Sequence, residues 1–382
     1  MTATTGESEP RVIAGLEGVL ACESRIASID GPNGILEYRG YNVRDFADTA
    51  DFLAVSYLLW HDRWPSSQQL AHFDQQVRAQ RQVPPQVHEM LRLVDLRSTN
   101  PMALVRTAVS LRGALDPTAD DTSHDAVLAK ATGVLARLPT LVAALSRGLS
   151  GQTAIAPDPA LGHAANYLYM LRGRAPSDDD AAALNTILTL YAEHELNAST
   201  FASRTVAGTL SDFYSAVVAG VAALKGPLHG GAVDDAMRLF REIGSVENVG
   251  QYLDRALAEK RKIPGFGHRV YRTRDPRAYH LEAIARRLGA AAGEPVWVDI
   301  ATRVEQDMVA RKRVNANVDY YAALALYHLG FPLTMFTSVI ASSRIVGWSA
   351  HIMEQYGDNR LIRPRALYRG ATGLTYQPNG GT

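Results

Sequence analysis

Residues Tyr320–Ser343 read YYAALALYHLGFPLTMFTSVIASS and contain no Asp, Glu, Lys or Arg. An uncharged run of this length matches a membrane span, so its reading decides between a membrane protein and a helical core. Gly330-Phe331-Pro332 breaks it in the middle, because proline cannot continue a helix. His328, Thr334, Thr337, Ser338, Ser342 and Ser343 make it too polar for lipid. The stretch therefore predicts two helices buried in a protein core, the second from about Leu333 to Gln355. Arg344 interrupts the second between Ser343 and Ile345. A buried guanidinium needs an anionic partner, either an acid side chain or a ligand.

Just upstream, Asn315-Ala316-Asn317-Val318-Asp319 places a carboxylate at the mouth of the uncharged run. Asp319 reads as the N-cap of the helix that follows. Partial desolvation there makes it a stronger base than a carboxylate in water, which suits abstraction of a carbon-bound proton. Further upstream lies Lys260–Arg277, KRKIPGFGHRVYRTRDPR. Pro264, Gly265 and Gly267 make its middle a loop that lets backbone approach a ligand. Lys260, Arg261, Lys262, Arg269, Arg272, Arg274 and Arg277 surround a single histidine, His268. Asp275-Pro276 reads as N-cap and first helical position, with Arg277 in the first turn. Cations crowded about one imidazole suit an anionic ligand with proton chemistry beside it; a solvated basic loop with an incidental histidine is the plainer alternative.

Elsewhere the apolar spacing is helical from Asp51 onward: Phe52–Leu59, Leu91–Leu96, Met102–Leu115, His124–Leu145, Tyr167–Leu171, Ala181–Ala192, Tyr214–Leu224, Val249–Glu259, Arg277–Leu288 closed by Gly289, and Trp297–Val309. Residues 149–161, with Gly151, Pro157 and Pro159, read as a loop. The convincing β signal is a turn, Asp30-Gly31-Pro32-Asn33-Gly34, whose flanks Ile26–Ile29 and Ile35–Tyr41 pair as a hairpin. The first residues read as loose, and the Gly- and Pro-rich tail after Pro364 as extended. The expected fold class is all-α, with a minor N-terminal β-hairpin.

Composition narrows the function classes. The 382 residues favour two domains. Formal net charge is zero, so no global field recruits nucleic acid or an acidic membrane. Cys22 is the only cysteine, which excludes an internal disulfide and a cysteine metal site and fits a reducing cytoplasm. The opening MTATTGESEP has no apolar signal-peptide core.

Of eleven histidines, most fit ordinary structural roles. His61, His72, His88 and His124 sit in polar contexts, His280, His328 and His351 on helices, and His163 at a helix start where packing or capping explains it. His194 in EHELNAST, His229 in GPLHGGA and His268 in GFGHRVY differ, because small or charged neighbours leave room for a ligand. A zinc site is disfavoured, since His194-Glu195 has no second histidine at the required spacing. No Gly-x-Ser-x-Gly elbow supports a serine hydrolase, and Gly265-x-Gly267 follows no strand, which removes a dinucleotide reading.

Five blocks in order resemble the citrate synthase family in its shorter bacterial and archaeal form: GLEGV with LEYRGYNV, HELNASTFASR, LKGPLHGGA, KIPGFGHRVYRTRDPRA, and NVDYY followed by SRIVGW and RPRALY. The likeness spans about Gly15 to Gly370. It implies an all-α homodimer in which a small domain, 226–326, is inserted between large-domain segments 1–225 and 327–382. The two domains would close over the substrates and exclude water.

The same resemblance implies an acyltransferase of the citrate (Si)-synthase type, acting on oxaloacetate and acetyl-CoA, the latter a co-substrate, with no cofactor and no metal. Asp319 would take a proton from the acetyl methyl group, His229 would stabilise the enolate oxygen, and His268 would polarise the ketone and protonate the alkoxide. His194, Arg277 and Arg344 would hold oxaloacetate, with Arg363 reaching in from the other subunit. Lys262, Ile263, Pro264, Gly265 and Phe266 would contact the CoA adenine, and Arg272 a CoA phosphate. Neither nucleic acid nor membrane is an expected partner. Two positions depart from the family pattern: Val233, where many members carry Asn, and Ala316, where Pro is frequent, which would loosen the loop carrying Asp319. Alternatives are 2-methylcitrate synthase, acting on propionyl-CoA, and a non-catalytic ligand-binding derivative. The Asn-Val-Asp-Tyr-Tyr block resembles citrate synthases more than the propionyl-specific branch.

Overall fold

The computed structural model describes residues 12–376. The loose start expected for residues 1–11 and the end of the expected extended tail, 377–382, lie outside the described residues. After a single 3-10 turn, an antiparallel meander forms from β1 (Ala27–Asp30), β2 (Ile35–Tyr38) and β3 (Tyr41–Asn42). Ala27 pairs with Tyr38 and Asp30 with Ile35. The helices α1 (Val43–Phe46), α2 (Phe52–His61), α3 (Ser67–Ala79), α4 (Pro85–Arg92), α5 (Pro101–Ala114), α6 (His124–Leu149), α7 (His163–Arg172) and α8 (Asp178–Tyr191) follow. Then come α9 (Ala198–Ala207), α10 (Phe213–Leu224), α11 (Ala232–Ile243), α12 (Val249–Ala258), α13 (Pro276–Ala291), α14 (Val296–Lys312), α15 (Val318–His328) and α16 (Phe336–Gly357). The fold is all-α apart from the meander.

The uncharged run folds as α15 and α16, parted at Gly330-Phe331-Pro332. Helix α16 is buried almost throughout and packs on α6, α9, α10, α2 and α8. Each fully buried side chain such as Phe336 or Ile345 contributes about 1.5–3 kcal/mol by leaving water. Helix α6 is long and apolar enough to cross a membrane, but most of it is buried inside the fold. Core packing accounts for it.

Several sequence expectations shift. The second hairpin flank does not run unbroken to Tyr41: Arg39 (φ 49°) and Gly40 (φ 83°) turn the chain and create β3. Leu91–Leu96 does not form its own helix: α4 takes in Leu91 and stops at Arg92, and the Asp95 carboxylate accepts the Arg97 N–H at 3.0 Å in a local turn that competes with helix. Gly289 does not end α13, which continues to Ala291. The N-cap of α15 is Asn317, whose side chain accepts the Asp319 N–H at 3.0 Å, so Asp319 lies in the first turn and not at the cap.

Candidate active site

Helices α13 and α15 pack together, and their N-termini bring two stretches of loop into register. The Gly267 N–H donates to the Asn315 carbonyl (3.0 Å), the Asn317 N–H to Gly265 (2.9 Å), and the Asn317 amide to Gly267 (3.0 Å). Phe266 and Ala316 bridge between them. These bonds pin the loop before Asp319, in place of the loosening that Ala316 suggests. Gly265 is required here: its φ is +78°, and a Cβ would lie 2.6 Å from the Tyr320 ring. Val233 is fully buried in the core.

His268 is half-buried, and its Nδ1 accepts the N–H groups of Val270 (3.0 Å) and Tyr271 (3.1 Å). Backbone N–H groups only donate, so Nδ1 is unprotonated and Nε2 carries the hydrogen. Burial, and then the Arg277 charge, lower its pKa to about 4. The buried His194 ring meets His268 edge-on, with centroids 5.1 Å apart, and its Nε2 lies 3.2 Å from the Tyr271 hydroxyl. Burial, Arg277, His268 and Arg344 hold His194 well below the usual histidine range. Both rings are neutral near pH 7.

His229 follows the end of α10. Its Nε2 lies 2.8 Å from the Ser199 hydroxyl and accepts the Ser199 N–H at 3.3 Å. Ser199 opens α9 under the Asn197 cap, and its hydroxyl accepts the Trp348 indole N–H at 3.1 Å. Here Nε2 is the acceptor and Nδ1–H the free donor, the opposite tautomer to His268. Burial, with Arg344 second, lowers its pKa to about 4.

Asp319 accepts the Tyr191 hydroxyl at 2.8 Å. Burial raises its pKa above the ordinary carboxylate value, while Tyr191, Arg277 and Arg344 pull the other way. Arg277 is 2% exposed and forks onto Asp275 through Nε (3.0 Å) and Nη2 (2.8 Å). Arg344 is 4% exposed; its Nε donates to the Tyr191 carbonyl at 2.6 Å. No acid side chain is within ion-pair distance of Arg344 among the described residues, which leaves its guanidinium available to an anion. Its field reaches His194, His229 and Asp319 together.

The fold thus gathers His194, His229, His268, Arg277, Asp319 and Arg344 about one point. Lys262 and Arg272 are exposed, Ile263 and Gly265 are buried, and Pro264 and Phe266 are half-buried on the adjoining loop. Arg363 is not brought to this cluster: it is exposed on the tail and lines a separate cleft of about 1100 Å³ with residues from Leu16–Arg25, Phe201, Arg204 and Glu354. Tyr191, Ser199, Tyr271 and the clamping role of Asp275 were not singled out from sequence. No group of three or more metal-ligating side chains occurs among the described residues.

The family profile described as "Citrate synthase, C-terminal domain" matches residues 15–365. The chain belongs to the citrate synthase family. It is a condensing acyltransferase of that family. Citrate synthase 2 of Bacillus subtilis is 44% identical over 95% of this chain and 97% of its own length. A 2-methylcitrate synthase of Mycobacterium tuberculosis is 42% identical over 97% of this chain and 93% of its own. Among solved structures, a ternary complex of Thermoplasma acidophilum citrate synthase with carboxymethyl coenzyme A and oxaloacetate superposes with a TM-score of 0.92 at 34% identity, covering 97% of this chain and 99% of that one. The all-α architecture is that of citrate synthases.

Proposed function

We propose that this chain condenses acetyl-CoA with oxaloacetate and water to give citrate and CoA. The observation that carries the reading is the pair of neutral histidines, held in opposite tautomers by backbone N–H donors, beside a carboxylate that burial has made more basic. Asp319 removes a proton from the acetyl methyl group while His229 Nδ1–H donates to the thioester oxygen and stabilises the enol or enolate. Its carbon attacks the oxaloacetate ketone, polarised by His268 Nε2–H, which supplies the proton to the new alkoxide. The proton taken by Asp319 passes to solvent, from which His268 is restored. Water then cleaves the citryl thioester, releasing CoA and citrate.

Arg277, Arg344 and His194 hold the oxaloacetate carboxylates; Arg277 is already oriented by Asp275, so little side-chain freedom is lost on binding. Lys262–Phe266 and Arg272 serve CoA. Arg363, exposed on the tail, completes the site of a partner subunit in a homodimer. The segment 226–326 moves as a small domain on the rest and excludes water when closed. No cofactor or metal is needed, and a cytoplasmic location fits the single cysteine.

A second reading, 2-methylcitrate synthesis from propionyl-CoA, is favoured by the 42% identity to the Mycobacterium tuberculosis relative. One extra methylene changes binding by only ~1–3 kcal/mol, so both acyl groups can react on one scaffold. The test is free-thiol release with oxaloacetate and each acyl-CoA. Acetyl-CoA is expected to have the higher kcat/KM; a preference for propionyl-CoA of about tenfold or more would reverse the assignment.

A further inference from the structure

The meander 27–42 is far in sequence from every residue of the cluster, yet it touches both segments that carry the facing histidines. At the β1–β2 turn the Gly31 carbonyl accepts the Arg272 N–H at 3.1 Å. A Cβ at Gly31 would lie 2.3 Å from the Val270 carbonyl oxygen and 2.9 Å from its carbon. At Gly34 it would lie 2.6 Å from Thr273 Oγ1. The turn is thus pressed directly against Val270–Thr273, and the N–H groups of Val270 and Tyr271 are those that fix His268.

One strand away, Tyr38 is fully buried. Its hydroxyl donates to the Glu193 carbonyl at 2.8 Å, with the Thr189 and Leu190 carbonyls at 3.3 Å, and accepts the Glu193 N–H at 3.2 Å. These groups form the last turn of α8 and the residue immediately before His194. Beyond it the backbone turns left-handed at Glu195 (φ 52°).

We propose that the meander is a bracket that sets the placement of His194 relative to His268, with Gly31 and Tyr38 as positioning residues for oxaloacetate. This rests on the reading that both histidines face oxaloacetate. A displacement of about 1 Å at such groups is enough to lower reaction efficiency by ~10²-fold, and a Cβ at Gly31 demands movement of that size. Gly31 does not have a positive φ, so alanine there acts through the contact with Val270 and not through backbone strain. Gly40 is the converse: its φ is +83° and nothing lies within 4 Å of its missing Cβ. Gly40→Ala therefore strains the same sheet without touching the His268 loop.

The test compares wild type, Gly31→Ala, Tyr38→Phe and Gly40→Ala as full chains, measuring kcat, KM for oxaloacetate, KM for acetyl-CoA and Tm. Gly31→Ala is expected to raise the oxaloacetate KM by about tenfold or more, and Tyr38→Phe by about threefold or more; in Tyr38→Phe, which does not touch Arg272, the acetyl-CoA KM is expected to stay within about threefold of wild type. Gly40→Ala is expected to lower Tm while leaving the oxaloacetate KM in place. Tyr38→Phe keeps the ring beside Phe46 (6.0 Å) and carries the test if Gly31→Ala does not fold. The bracket is overturned if Tyr38→Phe and any folded Gly31→Ala keep the wild-type oxaloacetate KM, or if Gly40→Ala moves it equally. A wild type that releases no thiol with oxaloacetate removes the functional reading, and the bracket with it; only the first two outcomes leave that reading standing.

Discussion

Asp275 and Asp319 stand at the N-termini of two packed helices, α13 and α15, and their carboxyls titrate in opposite directions. Burial raises the proton affinity of each. At Asp275 the Arg277 fork more than offsets it, and the Arg277 and Val318 N–H groups add further donors, at 3.0 and 3.2 Å. At Asp319 a single Tyr191 hydroxyl and two more distant guanidinium groups do not, so the pKa stays above the ordinary value. The difference teaches that pairing, more than depth, separates a carboxylate that holds the site together from one that can accept a proton.

The largest test of that contrast removes the base. Asp319→Asn is expected to lower turnover by ~10²–10⁴-fold while oxaloacetate affinity, measured by calorimetry, stays within a few-fold. Near-normal turnover would sink Asp319 as the proton acceptor. Asp275→Asn attacks the other member. Leaving Arg277 buried without its partner is expected to destabilise the fold by ~3–5 kcal/mol and to weaken oxaloacetate binding; an unchanged denaturation midpoint would show that the fork does not support α13.

The two carboxylates also have opposite stability linkages. Asp275 has a lowered folded pKa, so its contribution is present above the unfolded value near 3.8 and is lost as pH falls through the folded one. Asp319 has a raised folded pKa, so its favourable contribution belongs to the protonated form and is lost as pH rises through the folded value. At neutral pH, Asp319→Asn is therefore expected to raise Tm and Asp275→Asn to lower it. Calorimetric scans giving the same sign for both would break the comparison.

The sequence separates these residues only partly. Asp319 is legible because it opens an uncharged run, and Arg344 because it interrupts an apolar helix. His194, His229 and His268 are legible through their small or charged neighbours. The ion pair of Asp275 is local, but its second bond, to the Val318 N–H, spans 43 residues and leaves no local trace. Tyr191 is 128 residues from Asp319 and Ser199 is 30 from His229; each reads as an ordinary core or helix-start residue until the fold brings the partners together. Most helix identities follow from apolar spacing, although α3, α9 and α11 are not among the stretches read from it, and helix ends depend on competing local bonds, as at Asp95 and Asn317. The meander's contacts with the histidine segments are likewise tertiary.

The smallest expected effect concerns the one hydrogen bond that keeps Asp319 from being more basic still. Tyr191→Phe removes the hydroxyl and leaves the ring buried among the same neighbours. Tyr191 lowers the Asp319 pKa, so its loss should raise it. As the proposed base Asp319 acts only when ionised, so activity is expected to fall as pH drops through its pKa. The acid limb of the kcat profile is therefore expected to move to higher pH. His229 and His268, both near 4, act as donors whose N–H groups survive protonation, and neither is hydrogen-bonded to Tyr191. A shift of the limb in Tyr191→Phe thus assigns it to Asp319, and an unmoved limb removes Asp319 as its source.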